Sequence, residues 1–231
     1  IDGTGTDVHY GIIGKYSDGS IVRKCVVHDI VNEIDPPVSD VAGVGIMFYN
    51  EAKAGWSGVH GVLIERNVVY KTSRMGIFVG GWTSEPPYWL LSSNNVIEDN
   101  EVYDTWQGPT KGSGGAVTIL GASGSLIQRN EIYNTTGLDQ SGISILGLAS
   151  DTNRIIQNEL YNNYVGIKIS AGVPAILDNT ITDFTKGGIV VKDVLSVQIE
   201  INTISTTDYT LAPNGIQIGY IGATTGRTTT T

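Results

Sequence analysis

The phrase NEVYDT at residues 100–105 returns as NEIYNT at 130–135 and as NELYNN at 158–163. An inexact internal repeat constrains the fold more than any other feature of this chain, because every copy must occupy an equivalent place. Further copies emerge when the Asn is held fixed: Asn67 in LIERNVVYKT, Asn179 in AILDNTITDF and Asn202 in QIEINTISTT. Ile64, Ile97, Ile127, Ile155, Ile176 and Ile199 stand three residues before these Asn, and Val69, Val102, Ile132, Leu160, Ile181 and Ile204 two residues after. An earlier copy, IVRKCVVHDI, carries Cys25 in the Asn slot. The spacing from slot to slot is 42, 33, 30, 28, 21 and 23, which describes a unit of about 21 residues carrying insertions.

A second phrase alternates with the first: Gly, apolar, any residue, apolar. It reads GIMF at Gly45, GIFV at Gly76, GISI at Gly142, GIKI at Gly166, GIVV at Gly188 and GIQI at Gly215, with AVTI at Ala116 filling one place and GIIG at Gly11 opening the series. Short period-two runs rich in β-branched residues and punctuated by Gly and Asn predict strands, and no stretch has a helical pattern of useful length.

Together the two phrases resemble the right-handed parallel β-helix of the pectate-lyase-like superfamily, in its carbohydrate-binding and sugar-hydrolase type of repeat. The resemblance runs from Gly11 to about Gly219. It implies an all-β solenoid of about seven to eight coils stacked at ~4.8 Å, with long loops on the early coils. The Ile and Val positions face inward. The Asn occupy a turn, where Asn67, Asn100, Asn130, Asn158, Asn179 and Asn202 form a ladder of side-chain amides. Cys25 reads as a small buried thiol at the head of that ladder, and a lone Cys allows no internal disulfide. Residues 1–222 read as the β-helix domain and 223–231, ending GRTTTT, as a Thr-rich linker or tail. The opening in mid-phrase reads as a processed or truncated piece of something longer.

The insertions flank the Gly-phrase strand in the early coils, where the resemblance places a substrate groove. All four Trp fall in them, Trp56, Trp82, Trp89 and Trp106, with Tyr88 beside them. Flat rings on loops suit the apolar faces of sugars, so these five are the candidate glycan-binding residues. The groove floor is the third residue of each Gly phrase: Ile13, Met47, Phe78, Thr118, Ser144, Lys168, Val190 and Gln217. Glycan lyases and hydrolases need paired carboxylates, or a base beside an acid, and this row holds neither. A catalytic set would have to come from His28, Glu33, Asp35, Asp40, Glu51, Lys53, His60, Glu85 and Lys111. The stretch EIDPPVSD is similar to the acidic loop of alginate epimerases but lacks their His after Asp-Pro. The residues lean away from an enzyme without excluding one. The reading is an extracellular or cell-surface β-helix module with a structural, assembly or adhesive role that contacts a polysaccharide or glycan. The alternative is a polysaccharide lyase, epimerase or glycoside hydrolase.

A net charge of −9 and the lack of a basic run argue against nucleic acid, and no apolar run approaches a membrane span. Outside the groove, Tyr70, Tyr103, Tyr133 and Tyr161 align into an exposed aromatic ladder headed by His28, beside a stripe of Glu101, Glu131 and Glu159. Solvated glutamates ~4.8 Å apart repel by only about 1 kcal/mol. No cofactor is implied, Ca²⁺ along that stripe being the one metal the residues allow. Asn134-Thr135-Thr136 is a candidate N-glycosylation site. Open solenoid ends and an exposed apolar line of Ile13, Met47 and Phe78 predict contacts with neighbouring domains or other copies.

Overall fold

Each repeat folds as one turn of a coil. The computed structural model describes residues 1–4, 8–31, 43–51, 58–82, 92–106, 114–135, 137, 140–147, 151–207 and 213–219, the side chains of Glu51 and Trp82 excepted. Among these residues every strand pairs in parallel, and there is no helix. The Gly phrases form an eight-stranded sheet: Tyr10–Lys15, Val44–Glu51, Ile77–Trp82, Gly115–Leu120, Ser141–Leu146, Val165–Ile169, Gly187–Val191 and Asn214–Ile218. The strands before the Asn, from Ile21–Arg23 to Gln198–Glu200, form a second sheet of seven. The strands after it, from Val26–Ile30 to Thr203–Ser205, form a third sheet of seven. All three run in chain order, so the chain passes round the sheets and returns one coil further on. Short strands Ser92–Ser93 and Ala122–Ser123 pair beside the second sheet.

Register stacks each inward residue on its own equivalent. Val22, Ile64, Ile97, Ile127, Ile155, Ile176 and Ile199 form one column, and Val27, Val69, Val102, Ile132, Leu160, Ile181 and Ile204 another. With Ile46, Ile77, Val117, Ile143, Ile167 and Ile189 of the Gly sheet they make one continuous core. The glycine of the Gly phrase has a packing cause. A Cβ at Gly45 would lie 2.5 Å from Cγ1 of Val69, and one at Gly166 2.5 Å from Cγ2 of Ile181 and from the carbonyl of Gly188. The strand enters so close to the inward Val or Ile column that a side chain there meets backbone as well as core.

The turn between the second and third sheets also repeats. Lys24, Arg66, Asp99, Arg129, Gln157, Asp178 and Ile201, each just before the Asn slot, all have φ between 52° and 59°. The following Asn resolves the polar groups this turn exposes. Asn67 donates its amide to Oδ1 of Asn100, Asn100 to Asn130, Asn130 to Asn158, Asn158 to Asn179 and Asn179 to Asn202, at 2.9–3.0 Å. Each of those oxygens also accepts the backbone N–H of the residue one coil before. Cys25 is only partly buried and packs against the core, and its backbone N–H donates to Asn67. It therefore heads the ladder as an N–H donor, without an amide of its own to offer.

Left-handed backbone is costly for a β-branched side chain, and Ile201 sits there 79% exposed, with no burial to offset it. Ile201→Asn is expected to stabilise the chain by about 1 kcal/mol, read as a higher urea midpoint at unchanged slope. A lower midpoint would mean that Ile201 is held by packing.

Candidate functional site

Three outer faces carry the candidate chemistry. On the Gly sheet, register joins Ile13, Met47, Phe78, Thr118, Ser144, Lys168, Val190 and Gln217 into one outward row. Its first half corrects the expected exposed apolar line. Ile13 is 45% exposed, but Met47 and Phe78 are buried, in a second apolar cluster with Val44, Tyr49, Met75 and Trp106. Long side chains on both walls of the sheet reach one another above the floor, which the alternation of residues along a strand does not reveal. Thr118 and Ser144 follow, also buried. Thr118 is held by Gly115 and Ser144 by the hydroxyl of Ser141 at 2.7 Å, so neither hydroxyl is presented outward.

In the far half Lys168 is half-buried, Val190 is buried and Gln217 is exposed. Lys15, at the opposite end of the sheet, lies 4.7 Å from the ring centre of Tyr49. Apart from Glu51, whose side chain is not described, the eight strands contain no carboxylate. Among the described residues, acids of the second sheet and its turn pair with arginines. Glu98 and Asp99 bind Arg129 at 2.7 and 2.8 Å, and Glu65 binds Arg23 at 2.7 Å. The hydrogen bond from Arg129 holds the Asp99 carboxyl below its ordinary pKa.

The third sheet carries the aromatic ladder. His28, Tyr70, Tyr103, Tyr133 and Tyr161 stack with centroids 4.9, 4.9, 4.8 and 4.7 Å apart and planes within 8°. The phenol of Tyr133 donates to Glu101 at 2.8 Å, and that of Tyr161 to Glu131 at 2.7 Å, each reaching back one coil. Burial, then the neighbouring carboxylates, push both phenols above their usual pKa. At the head of the stack, Nδ1 of His28 lies 2.6 Å from Asp29 and 3.8 Å from Asp2. These three offer ligand atoms within 4.8 Å of one another. Thr4 already bonds the Asp2 carboxylate, and Lys71 lies 3.8 Å from Asp29, so the group is held by its own charges.

Among the candidate glycan-binding residues, Trp106 is 6% exposed, with φ 62° and the Arg74 guanidinium 5.5 Å from its ring centre. It packs down onto the floor. The backbone of Trp82 ends a Gly-sheet strand opposite Glu51. Trp56, Tyr88 and Trp89 lie outside the described residues, as do Glu33, Asp35, Asp40, Lys53, Glu85, Lys111 and the tail at 223–231. His28 and His60 are far from the Gly-sheet row in the coil, His60 bonding Ser93 at 3.0 Å beside the second sheet. Asn134 is in the turn after the third sheet with φ 57°, its amide on Asp104, and Thr135 is fully buried against Thr105. Asn95, Asn153 and Asn163 escaped the sequence reading. They accept the backbone N–H of Val62, Ser125 and Thr135 at the other corners, and their signal was an Asn two residues before Ile97 and Ile155, or three after Leu160.

The family model for the right-handed β-helix region matches residues 10–204. The chain belongs to that right-handed β-helix family. A crystal structure of a double mutant of the periplasmic alginate epimerase AlgG shares its fold, with a TM-score of 0.58 and 16% identity over 90% of this chain. A second AlgG crystal structure aligns with a TM-score of 0.46 and 15% identity over 84% of the chain. This β-helix spans about half the length of those proteins, 47% of each, and at such identity the likeness is one of fold. No curated protein sequence matches it. Among the described residues of this β-helix no helix is long and apolar enough to cross a membrane.

Proposed function

We propose that this β-helix is a glycan-contacting module with a structural or adhesive role, working outside the cytoplasm or in a periplasm, and that the glycan is an acidic polysaccharide lying along the far half of the Gly sheet. The observation that carries this reading is the separation of charge. A chain of net charge −9 places Lys15 and Lys168 in a sheet whose eight strands hold no carboxylate but Glu51. A polyanion is drawn to such a face and repelled by the others. Parallel coils repeat along the same axis as a sugar polymer laid across them, so successive residues of the polymer meet equivalent positions. Trp56, Trp82, Tyr88 and Trp89, in the insertions of the early coils, are proposed as aromatic contacts at the near end of the polymer. An alginate epimerase of the same fold is in keeping with an acidic glycan. Binding is favoured over catalysis because the floor's own hydroxyls are bonded internally and its strands supply no carboxylate pair.

A panel of alginate, polygalacturonate and neutral glucans tests this, with binding and new reducing or unsaturated ends measured together. Binding is expected to the acidic polymers only, to weaken with salt, and to fall about tenfold or more in Lys168→Glu. Equal binding of neutral glucans would sink the charge argument. New chain ends, or inverted uronate residues, would establish an enzyme instead.

A further inference from the structure

The aromatic ladder stops in the middle of a pattern. Tyr133 stacks on Tyr103 and donates its phenol to Glu101, and Tyr161 stacks on Tyr133 and donates to Glu131. By the same register the next unit would be a ring stacked on Tyr161 with its hydroxyl on Glu159. The chain places Thr182 there, and Ser205 one coil further on. Neither fills the volume of a phenol ring. Tyr161 thus keeps one face without a ring against it, and Glu159, exposed, takes no hydrogen bond or ion pair through its carboxylate. An uncovered aromatic face and an exposed carboxylate with no protein partner remain, at the spacing that two finished units of the ladder already define.

We propose that this position is a binding site for a p-hydroxyphenyl ring, which stacks on the open face of Tyr161, over Thr182, and donates its hydroxyl to the carboxylate of Glu159. The ligand repeats the geometry of the tyrosine that the sequence omits: a ring about 4.8 Å from Tyr161 and an O–H···O⁻ bond of about 2.7 Å, as at Tyr161 itself. A phenyl ring shares the stacking, and the charge-assisted bond favours the phenol over it. A pyranose can also offer a C–H face and an equatorial hydroxyl, but it lacks the flat π face with which the rings of the ladder stack. The site is on the third sheet, away from the Gly-sheet face, so it stands or falls independently of the glycan reading.

Titration with N-acetyltyrosinamide, followed by NMR of the tyrosine rings and threonine methyls, tests the site. Tyr161 and Thr182 are expected to shift together and saturate with a dissociation constant on the order of 1–10 mM. N-acetylphenylalaninamide is expected to bind at least about fivefold more weakly, and methyl β-glucoside not to shift these signals. Glu159→Ala, at an exposed position, should lower the tyrosinamide affinity to that of the phenyl analogue and leave the latter unchanged. Thr182→Tyr should fill the place from within and abolish both. Equal affinity for the two rings in the unmodified chain, shifts confined to other residues, or glucoside binding in place of the phenol would each overturn the proposal. A tyrosine-containing peptide binding far more tightly than the free amide would identify the source of the ring as a protein partner.

Discussion

Asn130→Ala should destabilise the chain by about 3–5 kcal/mol, the largest effect expected of any single ladder position. Asn130 Oδ1 accepts both the backbone N–H and the side-chain amide of Asn100, and its own amide donates to Asn158 and to the carbonyl of Ile97. All of these groups are buried. Removal leaves two donors on Asn100 and acceptors on either side without partners, where water cannot replace them. Each such group costs about 1–3 kcal/mol. Asn202 makes the equivalent bonds at the far coil but is partly exposed, so Asn202→Ala should cost only about 1 kcal/mol, water taking its place. Urea denaturation of the two variants gives the comparison. Equal losses would mean that the amides act individually rather than as a ladder.

How much of this was legible beforehand depends on whether a position repeats. The inward Ile and Val, the Asn and the Gly recur because each coil imposes the same demand, and a demand made six or seven times shows through any spacing. The outward floor row was readable for the same reason, residue by residue, from Ile13 to Gln217. Burial along that row was not. Met47 and Phe78 lie under side chains such as Trp106 that come from another coil's loop, and the loop does not repeat. The tyrosine ladder was visible as a column, but the bonds from Tyr133 to Glu101 and from Tyr161 to Glu131 were not, because they run diagonally from one column to the next. Glu stripe and Tyr stripe, read separately, hid a single unit. The charge pattern was equally hidden: only when the three sheets are distinguished does a chain of net charge −9 show one sheet whose strands hold no acid but Glu51.

Phe78→Ala tests where the groove ends and a second core begins. Phe78 is 1% exposed on the outer side of the Gly sheet, between Met47 and Thr118 in register, and packs with Val44, Tyr49, Met75 and Trp106. Truncating a buried aromatic removes its transfer energy and leaves a cavity, so the expected loss is about 3–5 kcal/mol, as large as for a residue of the inner columns. Lys168→Ala, in the same outward row but two coils beyond Thr118, should cost clearly less stability than Phe78→Ala and weaken polysaccharide binding. The pair tests whether one row of side chains divides into a packed half and a half that meets the proposed ligand. Thermal denaturation and polysaccharide binding, measured on both variants, read the division directly. If Phe78→Ala cost less than about 1 kcal/mol and weakened glycan binding, the near half of the sheet would be part of the groove, and the aromatic rings above it, Trp106 first, would be ligand contacts rather than packing.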